Sequence, residues 1–236
     1  MSARQAGENA VQAGFSRRAV FEALKDHDVM GHSLVYKTLD SVLGGLERPF
    51  RLLDIGCGDC ADILPPLKRN PPEAYVGIDS SAEAVARALE NTAGAGFPCR
   101  ILHGDFQAAL PAGLAFDIIW MGLFLHHLPT ERKPWFLARA RETLRAGGML
   151  LAHDPMLQEN EDRQAFITRL EDYGRANWLF LTADDLSVAC RHWSEHGHQE
   201  RFSTLRDVGL EAGFVDVRML WTDPDDFYGL LCFRRD

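Results

Sequence analysis

Acidic and glycine residues recur where apolar segments of the chain end. Asp54 stands two positions before Gly56, Gly58 follows, and Asp79 and Asp105 come after later apolar runs. Glycine lets the backbone approach a bound molecule closely, and a carboxylate accepts hydrogen bonds from hydroxyl or ammonium groups. The pattern therefore predicts a polar ligand that lies across several strand ends.

The glycine loop alone leaves the ligand open. Its pattern, Gly56-x-Gly58-x-x-Ala61, fits a loose dinucleotide fingerprint, with Asp79 at a suitable distance for a ribose hydroxyl. The segment after Gly58 is predicted to be a helix that runs to the break at Asn70-Pro71-Pro72, and its first turn would offer unpaired N–H groups. An NAD-dependent oxidoreductase is thus one alternative, although it gives no role to Asp54 or Asp105.

Strands and helices are predicted to alternate around these residues. The predicted strands are residues 51–55, 74–78, 99–103, 116–120, 149–153, 214–220 and 227–233. Such alternation is typical of a parallel sheet with helices on both faces. The loop 222–226 is short enough for a hairpin, so one C-terminal strand should be antiparallel. The predicted fold class is α/β, Rossmann-like and doubly wound, with a mostly parallel seven-stranded sheet.

The chain is predicted to form a single domain, residues 1–236, with four parts. These are an N-terminal helical cover (1–48), a cofactor-binding core (49–154), a helical insertion or lid (155–202), and a C-terminal helix with a strand pair (203–236). The insertion interrupts the alternation with two helical patterns, and Thr182 is a candidate cap for the second. Ligands of open α/β sheets lie at the carboxyl ends of the strands, where this insertion is expected.

Several motifs together resemble those of the class I S-adenosylmethionine-dependent methyltransferases. The resemblance is strong over about residues 50–154, and the order and spacing of the motifs carry it. The motifs are Leu52-Leu-Asp-Ile-Gly-Cys-Gly58, Gly77-Ile-Asp-Ser-Ser81, Gly104-Asp-Phe106, Phe116-Asp-Ile-Ile119, Leu125-His-His-Leu128 and Leu144-Arg-Ala-Gly-Gly148.

This resemblance implies S-adenosyl-L-methionine as the cofactor. The loop of Gly56, Cys57 and Gly58 would approach its methionine part, Asp54 would receive the ammonium group, and Met121 would present backbone just after the fourth strand. The resemblance also implies an adenosine end in which Asp79 accepts the ribose hydroxyls. The residues expected around the adenine are Ser80, Asp105 and Phe106.

Position 60 departs from the family pattern. Many members carry a third glycine there, whereas this chain has Cys60. With Cys57 it forms the CxxC spacing of redox motifs, but both residues lie in a loop that must approach a ligand. The five cysteines are too few, and odd in number, for a disulfide framework, so reduced thiols are expected.

The family has no single catalytic constellation, because a base is needed only when the acceptor arrives protonated. Catalytic candidates are therefore this chain's own histidines near the strand ends, His126 and His153, with a structural histidine as the alternative. The candidate substrate-binding residues are His127, Trp178, His192 and His196. The spacing of His192 and His196 is one that metal sites use, but no third-ligand pattern accompanies it, so no metal is expected.

The net charge of −9 disfavours nucleic acid as a partner. No signal peptide or membrane span is evident, which predicts a cytoplasmic protein. The expected oligomeric state is a monomer or a homodimer. The predicted function is methyl transfer to a small-molecule acceptor, with S-adenosylhomocysteine as by-product. The alternatives are an NAD-dependent oxidoreductase and a non-catalytic cofactor-binding or scaffolding protein with this fold.

Overall fold

The computed structural model describes residues 19–46, 49–106 and 115–236. The strands are β1 (Arg51–Ile55), β2 (Ala74–Asp79), β3 (Cys99–His103), β4 (Phe116–Gly122), β5 (Leu144–Leu157), β6 (Glu200–Arg201), β7 (Asp216–Thr222) and β8 (Tyr228–Arg234). They form a sheet in the order β3-β2-β1-β4-β5-β8-β7, in which β8 is antiparallel to both neighbours. The predicted Rossmann-like fold is confirmed; the short β6, paired with the end of β5, was not predicted.

Helices cover both faces of this sheet. They are α1 (residues 19–26 of the described part), α2 (His32–Gly44), α3 (Leu64–Arg69), α4 (Ala82–Thr92), α5 (Lys133–Thr143), α6 (Arg163–Asn177), α7 (Ala183–His196) and α8 (Phe202–Glu211), with short 3-10 helices at Leu125–His127 and Thr130–Arg132. Side chains of α2, α3 and α4 share one buried cluster with the sheet, and those of α5 and α8 share another. Part of the predicted N-terminal segment, residues 1–18 and 47–48, lies outside the described residues.

A third buried cluster joins α1 to α6 and α7. We call these three helices the lid. Thr182 caps α7 as predicted, in a capping box with Asp185. Arg169 of α6 makes a two-point ion pair with Glu161 at 2.7 and 2.9 Å, and its guanidinium lies 4.1 Å from the ring centroid of Phe227. These contacts hold the lid against the β7–β8 hairpin.

The strand β5 is longer than the predicted range 149–153. It begins at Leu144 and ends at Leu157. Leu144 already pairs with Phe116 of β4, and the register shifts beyond that pair. The start of pairing with β4 coincides with the end of α5 at Thr143.

The central strands β1 and β4 define where a ligand can lie. From β1 the chain proceeds outward to β2 and β3, and then returns to β4 on the other side of β1. At such a reversal of strand order the connections diverge and leave a crevice at the carboxyl ends of the two strands. None of the described helices is long and apolar enough to cross a membrane.

Candidate active site

The chain turns sharply where β1 ends. The backbone N–H groups of Gly56 and Cys57 both donate to the carbonyl of Ile78, at 2.9 and 3.1 Å. Gly56 has a φ of 74°, and a Cβ there would lie 2.7 Å from the ring of Phe124. The turn therefore requires glycine at this position, while Gly58 faces open space, with no atom within 4 Å of a Cβ placed on it.

The helix after this loop begins later than predicted. It starts at Leu64, whose N–H already donates to the carbonyl of Cys60 at 3.2 Å. Gly58 and Cys60 both have positive φ, 55° and 63°, and this interrupts regular structure, while Pro65 and Pro66 favour a helical first turn further along. The prediction of free helical N–H groups directly beside the glycines is therefore wrong.

Cys60 adopts a backbone conformation that glycine takes without strain and most other residues avoid. Its buried Sγ lies 3.2 Å from Oη of Tyr75. Tyr75 donates its hydroxyl proton to Oδ2 of Asp54 at 2.7 Å, so the Cys60 thiol is the donor to the Tyr75 oxygen. At this position the chain keeps a glycine-like backbone and uses the side chain to support Asp54.

Asp54 is 1% exposed and lines a cavity of about 440 Å³, here called the main cavity. Burial raises its pKa to about 7; the nearby Asp79 acts in the same direction, and the bond from Tyr75 opposes the shift. Its Oδ1 is buried without a hydrogen-bond partner in the described part of the chain. A cationic N–H donor in the main cavity would satisfy this oxygen.

Asp79 ends β2 and is held by the backbone. Its Oδ2 accepts the N–H of Gly58 at 2.9 Å, and its Oδ1 accepts the N–H of Ser81 at 2.8 Å. Each oxygen keeps a second lone pair for a further donor. Asp79 lines a neighbouring cavity of about 400 Å³, here called the side cavity. Other predicted cofactor residues that line it are Ser80, Asp105 and Phe106.

The two cavities meet at the switch point of the sheet. Both are lined by Gly56, Leu123 and His127. Leu123 follows β4 with a φ of 54°, and its N–H donates to the carbonyl of His153 at 2.7 Å. The arrangement suits one elongated ligand, with a buried carboxylate near one end and the backbone-held Asp79 near the other.

His126 lines the main cavity and is paired with a carboxylate. Its Nδ1 lies 2.7 Å from Oδ1 of Asp154, and both side chains are buried. The extension of β5 beyond the predicted end, His153, places Asp154 within this strand. An imidazole whose Nδ1–H donates to a carboxylate keeps Nε2 as its basic atom. The pair can therefore remove a proton from a group bound in the cavity.

Three further histidines line the main cavity: His32, His127 and His192. Burial, with added repulsion from the neighbouring histidines, lowers the pKa of His127 to about 3, so its ring is neutral at pH 7. The ring centroids of His127 and His192 lie 6.0 Å apart. His196 lines neither cavity, and its side chain is 50% exposed. Within the described residues, no group of three or more His, Cys, Asp or Glu side chains is placed to hold a metal.

Residues 53–150, which run from β1 into β5, match a family described as a methyltransferase domain. This segment is a methyltransferase domain of the class I, S-adenosylmethionine-dependent type.

Curated relatives of this methyltransferase domain are similar at moderate identity. Nicotinate N-methyltransferase 1 of Oryza sativa subsp. japonica is 25% identical over 81% of this chain and 47% of its own length. Trans-aconitate 2-methyltransferase of Deinococcus radiodurans is 33% identical over 46% of this chain and 40% of its own length. The chain thus spans less than half the length of either relative.

Solved structures share the fold of the methyltransferase domain. The plantazolicin methyltransferase BpumL, solved in complex with a monoazolic desmethylPZN analog and SAH, superposes with a TM-score of 0.67 at 13% identity, over 98% of this chain and 99% of that chain. An O-methyltransferase family protein from Burkholderia thailandensis gives a TM-score of 0.59 at 16% identity, over 85% and 56%.

Four predicted site residues line neither cavity of the methyltransferase domain: His196, Met121, Trp178 and His153. Met121 is fully buried inside β4, which continues to Gly122, so the prediction that it follows the strand is wrong. Gly122 and Leu123 line the main cavity instead. Trp178 is 6% exposed and packs in the lid cluster, 6.4 Å from the ring of Trp193, which favours a packing role.

His153 also differs from its predicted position at the mouth of the site. It is 1% exposed and lines neither cavity; burial lowers its pKa to about 3. Its ring lies 5.7 Å from that of His32 and 5.9 Å from that of Tyr228. His32, one of the residues that sequence reasoning missed, lines the main cavity.

Sequence reasoning missed most of the residues that line the main cavity. The missed residues that line the main cavity include Phe21, Met30, His32, Tyr36 and Leu123, and the missed supporting residues are Tyr75 and Asp154. The position of Asp154 next to His153, at the end of a predicted strand, could have identified it from the sequence. For the residues of α1 and α2 no sequence motif indicates a site, because only packing brings them there.

The buried Lys133 joins the histidine loop to the end of the lid. Its Nζ donates to the carbonyls of Leu128 and His198 at 2.9 and 2.7 Å, and it lies 3.2 Å from Oε1 of Glu200. The ammonium group, 1% exposed as a residue, thus has a partner for each of its three protons. This interaction fixes the segment that carries His126 against the segment that follows α7.

Proposed function

We propose that this protein transfers a methyl group from S-adenosylmethionine to a small-molecule acceptor and releases S-adenosylhomocysteine. The observation that carries the proposal is the pair of joined cavities, with the unpartnered Oδ1 of Asp54 in one and the backbone-held Asp79 in the other. Membership in the methyltransferase family supports the same cofactor.

The residues present fit this cofactor. The ammonium group would satisfy Oδ1 of Asp54, and the open space beside Gly58 admits its methionine part. The remaining lone pairs of Asp79 suit the two ribose hydroxyls, and Phe106, which lines the side cavity, suits the adenine. An NAD-type ligand would leave the buried Asp54 oxygen without an evident cationic partner.

When bound, S-adenosylmethionine supplies an electrophilic methyl group. The protein's residues align the acceptor with that group and exclude water from the approach. His126 takes the acceptor's proton on Nε2, and Asp154 holds the imidazole and stabilises it once protonated. The neutral His127 can accept or donate a hydrogen bond without adding charge.

A small acceptor is supported by the shape and charge of the site. A main cavity of about 440 Å³ lies within the usual range for small-molecule sites. α1 and α7 contribute residues to its lining, so the lid covers the crevice. The net charge of −9 opposes a nucleic-acid acceptor. Two of the curated relatives are named for nicotinate and trans-aconitate, both small molecules.

The proposal is tested by calorimetry with S-adenosylmethionine and NADH on the wild type and on Asp79→Ala. We expect S-adenosylmethionine to bind at least 100-fold more tightly than NADH. The Asp79→Ala change should weaken it by about 100-fold or more, since two charge-assisted bonds are lost.

Glu90→Ala, a change of an exposed acid on α4, is the matched control and should leave the affinity within about twofold. Circular dichroism would establish that both variants fold. Preference for NADH, or unchanged affinity in a folded Asp79→Ala protein, would overturn the cofactor assignment.

A further inference from the structure

The walls of the main cavity are rich in aromatic rings. Tyr36 of α2 and Trp120 of β4 form one pair, with ring centroids 5.4 Å apart, and Phe21 of α1 and Trp193 of α7 form another at 5.6 Å. The two pairs come from different layers of the fold, the sheet and the lid. Aromatic walls bind flat apolar molecules through stacking and edge contacts.

The charges around the main cavity oppose an anionic ligand. The charged residues that line it are Glu22, Lys25, Asp54, Asp59, Asp62 and Arg87. Lys25 is paired with Asp62 at 2.7 Å, and Arg87 is paired with Glu83 at 2.5 Å. Acids outnumber cations in this lining and each cation already has a carboxylate partner, so a carboxylate group on the acceptor would find no unpaired cation among the described lining residues.

Polar groups that carry no charge remain available. Tyr36 accepts a hydrogen bond from the indole N–H of Trp120, which can only donate, so the Tyr36 hydroxyl keeps its own proton for another acceptor. His32 has a buried Nδ1 without a hydrogen-bond partner among the described residues. Burial lowers the pKa of His32, which favours a neutral ring. These two side chains therefore suit a ligand that both donates and accepts hydrogen bonds.

From these observations we infer that the acceptor is an uncharged aromatic molecule with a hydroxyl group, and that Tyr36 and His32 determine this specificity. The inference rests on the proposed function, because it assumes methyl transfer in the main cavity. A hydroxyl group carries a proton that must be removed when its oxygen is methylated, and the His126–Asp154 pair can act as the general base.

The step balances with the groups already named. The O–H bond of the acceptor breaks as its proton passes to Nε2 of His126, and the acceptor oxygen forms a bond to the methyl carbon. The electron pair of the broken S–CH₃ bond stays on the sulfur of the departing S-adenosylhomocysteine. A cationic acceptor is disfavoured, because it would be repelled by the sulfonium charge at the reacting methyl.

Three matched probes test this inference by calorimetry: β-naphthol, β-naphthoate and β-naphthylmethylamine, which differ only in the polar group. Each is titrated into the protein with and without S-adenosylhomocysteine. We expect β-naphthol to bind at least tenfold more tightly than β-naphthoate in both titrations. β-Naphthylmethylamine should bind at least tenfold more weakly when S-adenosylmethionine, which carries the sulfonium charge, replaces S-adenosylhomocysteine. Tyr36→Phe should weaken β-naphthol about tenfold, the effect of one hydrogen bond, and leave S-adenosylhomocysteine affinity within twofold.

Tyr173→Phe is the control, because its hydroxyl donates to Asp225 away from both cavities, and it should leave the β-naphthol affinity unchanged. Equal or tighter binding of β-naphthoate, no effect of Tyr36→Phe, or no binding of β-naphthol below about 1 mM would overturn the inference. Failure of S-adenosylhomocysteine to bind the wild type would instead overturn the proposed function, since the ranking of the probes is also measured without it.

Discussion

In the side cavity Asp79 is held by backbone N–H groups of Gly58 and Ser81, whereas in the main cavity His126 is held by a side chain, Asp154, from another strand. The first arrangement follows from how β1 and β2 end. The second requires that the 3-10 helix after β4, the extended β5 and the lid all meet. A side chain held by backbone N–H groups depends little on the surrounding side chains. A side chain held by another side chain depends on packing between distant segments. We call Asp54 and Asp79, which we propose to hold the cofactor, the cofactor side, and His126 and Asp154, which we propose to act on the acceptor, the acceptor side. We expect the two sides to respond to mutation independently.

The largest expected effect concerns the acceptor side. His126→Asn should lower the rate of S-adenosylhomocysteine formation with a hydroxylated aromatic acceptor by about 100- to 10,000-fold, because the proton acceptor is lost. Cofactor affinity should stay within about twofold. Single-turnover kinetics and calorimetry measure the two quantities.

His196→Asn, a change on the exposed side of α7, serves as the control for this comparison and should retain the wild-type rate. If the His126 variant kept its rate within about threefold, or lost cofactor affinity in parallel, the two sides would not be independent.

An intermediate effect is expected when the affinity for S-adenosylmethionine is measured at different pH values. The pKa of Asp54 is raised to about 7, so this carboxyl is largely protonated at pH 6, and only its ionised form can pair with an ammonium group. Affinity for S-adenosylmethionine should therefore be roughly fivefold to tenfold weaker at pH 6 than at pH 7.5.

The Asp54→Asn protein should bind more weakly at both pH values and lose this dependence. Asp59→Asn, which removes another acid of the same cavity, should keep it. A flat pH profile for the wild type would show that Asp54 does not contact the ammonium group.

The smallest expected effect is on acceptor affinity, and it should differ between two histidines of α7, His192 and His196. His192→Phe should weaken binding of β-naphthol by about three- to tenfold, because His192 lines the main cavity. His196→Phe, four residues further along α7, should change it by less than about twofold. Fluorescence titration of both variants measures the difference. Equal effects of the two substitutions would contradict this prediction, because the acceptor would then bind as close to His196 as to His192.

The sheet and the cofactor side could be predicted from local patterns. Residues 51–55 and 99–103 were predicted as strands, and β1 and β3 have these bounds, because each apolar run ends directly before a glycine. Asp79 lines its cavity for the same reason, since a residue at a strand end is placed by the strand.

The acceptor side could not be predicted in the same way. His153 and Asp154 are neighbours in one strand, yet Asp154 supports the cavity and His153 is buried away from it, because successive side chains of a strand point to opposite faces. The extent of β5 decides which of them faces the site, and it depends on pairing with β4 and β8. His32 and Tyr36 line the cavity because α2 packs beside it. No local sequence motif predicts this packing.

The buried Lys133 constrains how ligands can enter and leave. Leu128 lines the side cavity, whereas His198 and Glu200 line neither cavity. Separating Leu128 from His198 and Glu200 would leave an ammonium group buried without its partners, at a cost of about 3–5 kcal/mol. We therefore expect these segments to stay together while ligands enter and leave, and exchange to involve α1, where the partly exposed ion pair of Lys25 and Asp62 borders the main cavity.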